Sequence, residues 1–159
     1  MRVYRIAVSQ FADDISGEGA RLYGGRWNPQ GIPMLYTAES LPLAILETLV
    51  NVPAGVLATP LFSRVVLNIP DRTKLTVLSP NELPPDWQTY PPPAGLAEMG
   101  RQWVRKKETL GLKVPSTVAG GEGWNVLLNP RHPDFGRVHI ESVAPFVFDT
   151  RLLRKEVQQ

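Results

Sequence analysis

The sequence contains no cysteine, which excludes disulfide staples, thiol nucleophiles and Cys-ligated zinc, and fits a reducing compartment. Histidine is almost as scarce. His132 and His139 are the only two, too few to furnish a metal site, so no metal is expected. No apolar run approaches the ~18 residues of a membrane span, and the opening MRVYRIAVSQ lacks the apolar stretch of a secretory signal. A cytoplasmic protein that does not enter the membrane is expected. Charge of one sign is lacking too: 17 Lys and Arg against 15 Asp and Glu leave a net +2, despite a pI near 9.1. That balance is too mild to imply affinity for nucleic acid or a lipid surface. Sharply specific catalytic motifs are also missing, with no GxGxxG, GxxxxGK[ST], HExxH or GxSxG.

What remains is a globular composition. At 159 residues, 43% hydrophobic and 20% charged, the chain reads as one domain, 1–159, large enough to bury a core. Proline is abundant, 16 residues, about twice the usual ~5%, so short elements joined by many loops are expected. Residues 2–8 alternate as a strand, with Val3, Arg5 and Ala7 on one side and Tyr4, Ile6 and Val8 on the other. Residues 11–22 read as a loop with a helical turn, 26–31 as a turn, and 34–38 as a buried strand. Ser40 can cap a helix that accepts Pro42 in its first turn and closes at Asn51-Val52-Pro53. Strands are expected at 62–69, 74–78, 112–116 and 123–128, with final strands at 138–140 and 145–148 and a short basic tail after Asp149. A helix at 94–110 should end with Gly111 as its C′ residue. The proline-dense stretch 79–93 cannot pair inside a sheet, and a loop this long is expected to cover or bind something. The class is α+β, with about six short strands and two clear helices.

One anomaly stands out in this pattern. The helix after Ser40 is apolar almost all round, through Leu41, Leu43, Ala44, Ile45, Leu46, Leu49 and Val50, yet it carries Glu47 in its middle. A helix apolar on every side is expected to be buried, and an ionised carboxylate there needs a donor, for which an Arg is the cheapest. Two readings stand: a structural Arg–Glu pair, and a carboxylate held in a cleft. Gly24-Gly25-Arg26 offers either a tight turn with a surface Arg or a guanidinium suited to a diphosphate. Tyr36 is either core or ligand platform. Ser116, and Asn125 beyond it, supply a hydroxyl and an amide near strand ends, where sites gather.

The stretch GGRWNPQGIPMLYTAESLPLAILETLV (24–50), with YRI at 4–6, VPS at 114–116 and WNVLLNPRHPDF at 124–135, resembles the RES-domain family, named for its Arg, Glu and Ser. The resemblance covers nearly the whole chain. It implies a fold like that of ADP-ribosyltransferases, with twisted, mostly antiparallel small sheets flanked by helices. It also implies the toxin half of a type II toxin–antitoxin pair, restrained by an Xre-like helix-turn-helix antitoxin, for which loop 79–93 is a candidate contact. A homodimer is compatible with it. NAD⁺ is the implied substrate, cleaved at the nicotinamide–ribose bond by hydrolysis or phosphorolysis. Carried over by motif, the catalytic set is Glu47, Arg26 and Tyr36, and the NAD-binding set is Arg5, Arg26, Tyr36, Ser116 and Asn125. Two other readings compete. One is transfer of ADP-ribose to a protein; the other is a nucleic-acid-binding module built on the basic segment RQWVRKK (101–107). The small net charge speaks against the second, and a solvated helix face accounts for that segment.

Overall fold

Strand pairing brings together segments that are far apart in the chain. A computed structural model describes residues 1–153; the tail expected after Asp149 runs on into 154–159, outside the described residues. The strands are β1 (Arg2–Val8), β2 (Leu35–Ala38), β3 (Phe62–Asn68), β4 (Leu75–Val77), β5 (Gly111–Pro115), β6 (Trp124–Leu128) and β7 (His139–Phe146). They join in one sheet, ordered β4-β5-β6-β2-β1-β3-β7. All neighbours are antiparallel except β4 and β5. The α-helices are α1 (Glu18–Tyr23), α2 (Leu41–Asn51), α3 (Ala54–Leu57) and α4 (Ala94–Lys106), completing an α+β architecture.

Register decides which residues share a face. Val114 pairs with Asn125, Asn125 with Ala38, and Ala38 with Tyr4, so these four point to the same side of the pleat. On that side, Leu112, Val114 and Leu127 pack with Leu96, Trp103 and Val104 around α4. Further along the same face, Ala38 packs with Leu43 and Ala44 of α2, joined by Tyr4 and Ile6. The opposite face buries Val3, Leu35, Val65, Leu67, Val126 and Leu128. Both faces being covered explains why most strands read as apolar runs rather than clean alternations.

Several boundaries differ from expectation for identifiable reasons. Helix α2 is capped by Ser40, whose Oγ accepts from the Leu43 N–H at 3.3 Å, and it ends at Asn51. It is not buried all round. Leu43 and Ala44 face the sheet, whereas Leu46 and Val50 are 42% and 63% exposed, so α2 lies on the sheet with one side in solvent. Helix α4 stops at Lys106 because Lys107 adopts a left-handed conformation (φ 54°) and donates to the Trp103 carbonyl. Gly111 is not its C′ residue. It opens β5, where a Cβ would lie 2.5 Å from the Leu75 side chain. The two final strands expected at 138–140 and 145–148 are one strand, β7, paired along β3 with a register shift between Val66 and Leu67. Its exposed, polar middle hides its strand character, and its position at the sheet edge tolerates Pro145. Helix α3 was not anticipated, and α1 is a six-residue helix where only a turn was expected.

Two features pin the region before β2. The proline-dense loop sends Leu83 and Trp87 into the core below α4. Gly100 of α4 presses against the Trp27 backbone so closely that a Cβ would fall 1.7 Å from the Trp27 carbonyl oxygen. The basic segment 101–107 keeps Trp103 and Val104 inward while Arg105, Lys106 and Lys107 face solvent and Arg101 pairs with Glu98.

Candidate active site

Where α2 crosses the sheet, Glu47 meets residues from two neighbouring strands. Its Oε1 accepts hydrogen bonds from Ser116 Oγ at 2.8 Å and from Asn125 Nδ2 at 2.6 Å. Ser116, immediately after β5, is fully buried, and Asn125 stands on β6 opposite Val114, two residues before Ser116. The loop joining these strands folds back so that Val118 and Ala119 pack against Leu43 and Ala44, holding α2 over the pair. Among the described residues, Glu47 Oε2 accepts no hydrogen bond and Glu47 forms no ion pair. The structural Arg–Glu pair is therefore absent, and two neutral donors hold the carboxylate by one oxygen.

Arg26 approaches from a tight turn. Gly24 enters it with φ 71°, a conformation that glycine adopts without steric cost. Gly25 and Asn28 then bridge across it, with Gly25 N–H donating to the Asn28 carbonyl at 2.8 Å. The guanidinium Nη1 donates to the carbonyls of Trp87 and Thr89 at 2.8 and 3.1 Å. Among the described residues its Nε and Nη2 have no partner. Burial lowers the Arg26 pKa, and the negative charge of Glu47 opposes that shift. Among the described residues no ion pair joins the two groups.

Tyr36 of β2 turns its ring toward the cleft, but its hydroxyl is engaged elsewhere. It donates to Asn28 Oδ1 at 2.7 Å and accepts from the Trp27 N–H at 3.0 Å. Burial pushes its pKa well above the ordinary phenol value. Arg5 behaves differently from the other candidates. The pleat places it with Val3 and Ala7, opposite Tyr4 and Ile6, and its guanidinium donates to the Phe11 and Asp14 carbonyls at 3.0 Å each. Desolvation lowers its pKa and Asp14 partly restores it. No hydrogen bond joins it to Glu47, Arg26 or Ser116.

The resulting cleft has a volume of about 290 Å³ and is lined by Tyr4, Arg5, Tyr36, Ala38, Glu47 and Asn125, among others. A larger depression of about 460 Å³ lies between Pro70–Lys74, Glu108–Leu110 and His132–Arg137. It contains none of the candidate residues, and its charged groups are of mixed sign, so the smaller cleft is the chemically organised one. Among the described residues, no three His, Asp or Glu side chains are grouped to hold a metal, and no helix is long and apolar enough to cross a membrane. Asn28 and Tyr4 are the site residues that the sequence reading missed. Tyr4 was recoverable from the strand alternation, which sets it opposite Arg5. Asn28 looked like an ordinary turn residue.

Comparison with known proteins identifies the family. The RES domain family matches residues 2–149. A protein named Toxin Res from Yersinia enterocolitica is 39% identical over 155 residues, covering 96% of this chain and 99% of its own length. A protein named Prs ADP-ribosylating toxin, from Sphingobium sp. strain YBL2, is 38% identical over 157 residues, covering 97% and 96%. In fold, the chain is similar to one in the crystal structure of the M. tuberculosis MbcT–MbcA toxin–antitoxin complex, with a TM-score of 0.74 at 22% identity, over 92% of this chain and 84% of that one. A match of this extent, over nearly the whole chain and with relatives 38% and 39% identical, places the chain in the RES domain family.

Proposed function

We propose that the chain is the toxin half of a toxin–antitoxin pair and that it cleaves the nicotinamide–ribose bond of NAD⁺, passing ADP-ribose to water or phosphate. The toxin role is supported by the names of its full-length relatives. The chemistry is supported above all by one observation: a single carboxylate lines the cleft, held through one oxygen by neutral donors while its other oxygen accepts no hydrogen bond among the described residues. Nicotinamide leaves NAD⁺ as a neutral molecule, so its departure needs no general acid, unlike ordinary glycoside cleavage with its two carboxylates. Positive charge develops at the ribose C1′, and the free Glu47 oxygen is available to stabilise it and to hold the ribose hydroxyls. Ser116 and Asn125 fix that carboxylate. The Tyr36 ring offers a surface for nicotinamide.

A cleft of about 290 Å³ sits at the low end of the ~300–1,000 Å³ usual for ligand sites. It suits the nicotinamide riboside half, and the diphosphate then extends toward the free N–H groups of Arg26. Arg5 borders the same cleft, and in this reading its guanidinium, held by the Phe11 and Asp14 carbonyls, braces β1 at the edge of the ligand. An antitoxin of the Xre-like type would restrain the enzyme by binding it.

The name of the Sphingobium relative favours a second reading, in which a protein side chain takes the place of water. Product analysis separates the two. Purified protein is incubated with NAD⁺ with and without phosphate, and nicotinamide, ADP-ribose and its 1″-phosphate are quantified. In parallel, label from adenine-labelled NAD⁺ is followed onto added cellular protein. Free ADP-ribose or its phosphate is the expected product. Label found only on protein would replace the first reading by the second, and no nicotinamide release under any condition would sink both.

A further inference from the structure

The two residues beside Arg26 are each fixed by a partner that the reaction itself does not need. Gly25 N–H is tied to the Asn28 carbonyl at 2.8 Å, and Trp27 N–H to the Tyr36 hydroxyl at 3.0 Å. That hydroxyl in turn donates to Asn28 Oδ1 at 2.7 Å. Asn28 is 1% exposed, and its Nδ2 contacts the carbonyls of Ala20, Ile32 and Pro29 at 2.7, 3.0 and 3.2 Å. One buried amide thus joins α1, the turn and the approach to β2.

We propose that Asn28 and the Tyr36 hydroxyl form a clamp that positions the Arg26 guanidinium, so that the hydroxyl influences ligand binding through Arg26 and not by touching the ligand. This deepens the assignment of Arg26 to the diphosphate and rests on it. The hydroxyl's one hydrogen is spent on Asn28, and a lone pair accepts from Trp27. The hydroxyl therefore has no hydrogen to offer a ligand, and it is the ring of Tyr36 that lines the cleft. The neighbouring backbone is shaped to leave the clamp room: a Cβ on Gly25 would fall 2.8 Å from the hydroxyl oxygen and 3.1 Å from Asn28 Oδ1. The far end of Arg26 is tied separately, to the Trp87 and Thr89 carbonyls. The side chain is therefore specified at its root by the clamp and at its tip by the proline-dense loop. Burial raises the Tyr36 pKa, which keeps the hydroxyl protonated and able to donate.

The test is a double-mutant cycle read by calorimetric binding of ADP-ribose to the full chain. Tyr36→Phe keeps the ring and should weaken binding about three- to tenfold, the order of one neutral hydrogen bond. Gly25→Ala, which crowds the clamp, should do the same. In an Arg26→Ala background, Tyr36→Phe should have no further effect, because a residue acting only through Arg26 cannot act without it. Full additivity of the two changes would overturn the clamp. A second reading of the experiment needs no ligand: the Arg26 Nε–H resonance, ordered in the parent, should broaden or average in Tyr36→Phe. If the parent binds no ADP-ribose, the diphosphate assignment fails. The clamp is then decided by that resonance, and an unchanged Arg26 signal in Tyr36→Phe would end it.

Discussion

Replacing Glu47 by Gln separates the structural duty of this side chain from its chemical one. The amide oxygen of Gln can still accept from Ser116 and Asn125, now 2.8 and 2.6 Å away, while the amide nitrogen takes the place of the free Oε2. Two hydrogen bonds change from charged to neutral acceptors, a loss of about 1–1.5 kcal/mol each. Relief of the half-buried charge offsets much of that, leaving a net change of about 1–2 kcal/mol. For a chain of this size that is a melting shift of roughly 2–8 °C. The chemical effect should be far larger. Losing one preorganised charge opposite a developing charge typically costs about 10²–10³ in kcat, or ~2.7–4 kcal/mol. Nicotinamide release at saturating NAD⁺ should therefore fall by two to three orders of magnitude, with the KM for NAD⁺ changed by less than about tenfold. A folded Glu47→Gln protein whose kcat stays within tenfold of the parent would refute the role given to the carboxylate.

Arg26→Lys keeps the charge but loses the fork that lets one end hold Trp87 and Thr89 carbonyls while the other meets an anion. Its KM for NAD⁺ should rise about tenfold with a smaller change in kcat, and steady-state kinetics would show the split. Ser116→Ala removes one of two donors to Glu47, so kcat should drop about three- to tenfold while stability falls by about 1–2 kcal/mol in urea unfolding; an unaffected kcat would mean that Asn125 alone fixes the carboxylate. Arg5→Ala should lower the melting temperature through its lost bonds to Phe11 and Asp14, and leave the KM for NAD⁺ within about twofold. A tenfold rise would make its guanidinium a ligand contact and not only a brace. Tyr36 supplies the pH prediction. Its folded pKa is raised, so its contribution to stability is fully present below ~10, the ordinary phenol value, and is lost as pH climbs through the raised folded value. The stability gap between the parent and Tyr36→Phe should narrow above pH ~10, and a constant gap from pH 7 to 11 would contradict the buried, protonated hydroxyl.

Much of this site could be read from residues 24–50, because its signals are local. Ser40 and Pro42 announce the start of α2, and a carboxylate on an apolar helix announces a cost that needs partners. What the sequence did not reveal is non-local. That Glu47 is met by Ser116 and Asn125 rather than by an Arg depends on β6 lying between β5 and β2, a pairing that no local pattern encodes. The exposed side of α2 was missed for a related reason, since Leu46 and Val50 read as core until the sheet shows that it covers only one side. Lys107 closes α4 through a left-handed conformation usually left to Gly or Asn, so Gly111 looked like the natural stop. Arg5 shows how little alternation alone decides: it sets Arg5 opposite Tyr4, whose partner is Ala38, yet both residues border the cleft.

The strand order also sets a timetable for synthesis. Tyr4 and Tyr36 are made early, and Glu47 soon after, but the donors that hold Glu47 are Ser116 and Asn125, more than sixty residues later. Until β6 slots in against β2, the carboxylate has neither partner, and the chain that has left the ribosome is an incomplete half-sheet. On the proposed function, the enzyme is harmless for most of its translation and acquires its activity late. A restraining partner need not meet the growing chain. It has only to be present when the last third arrives.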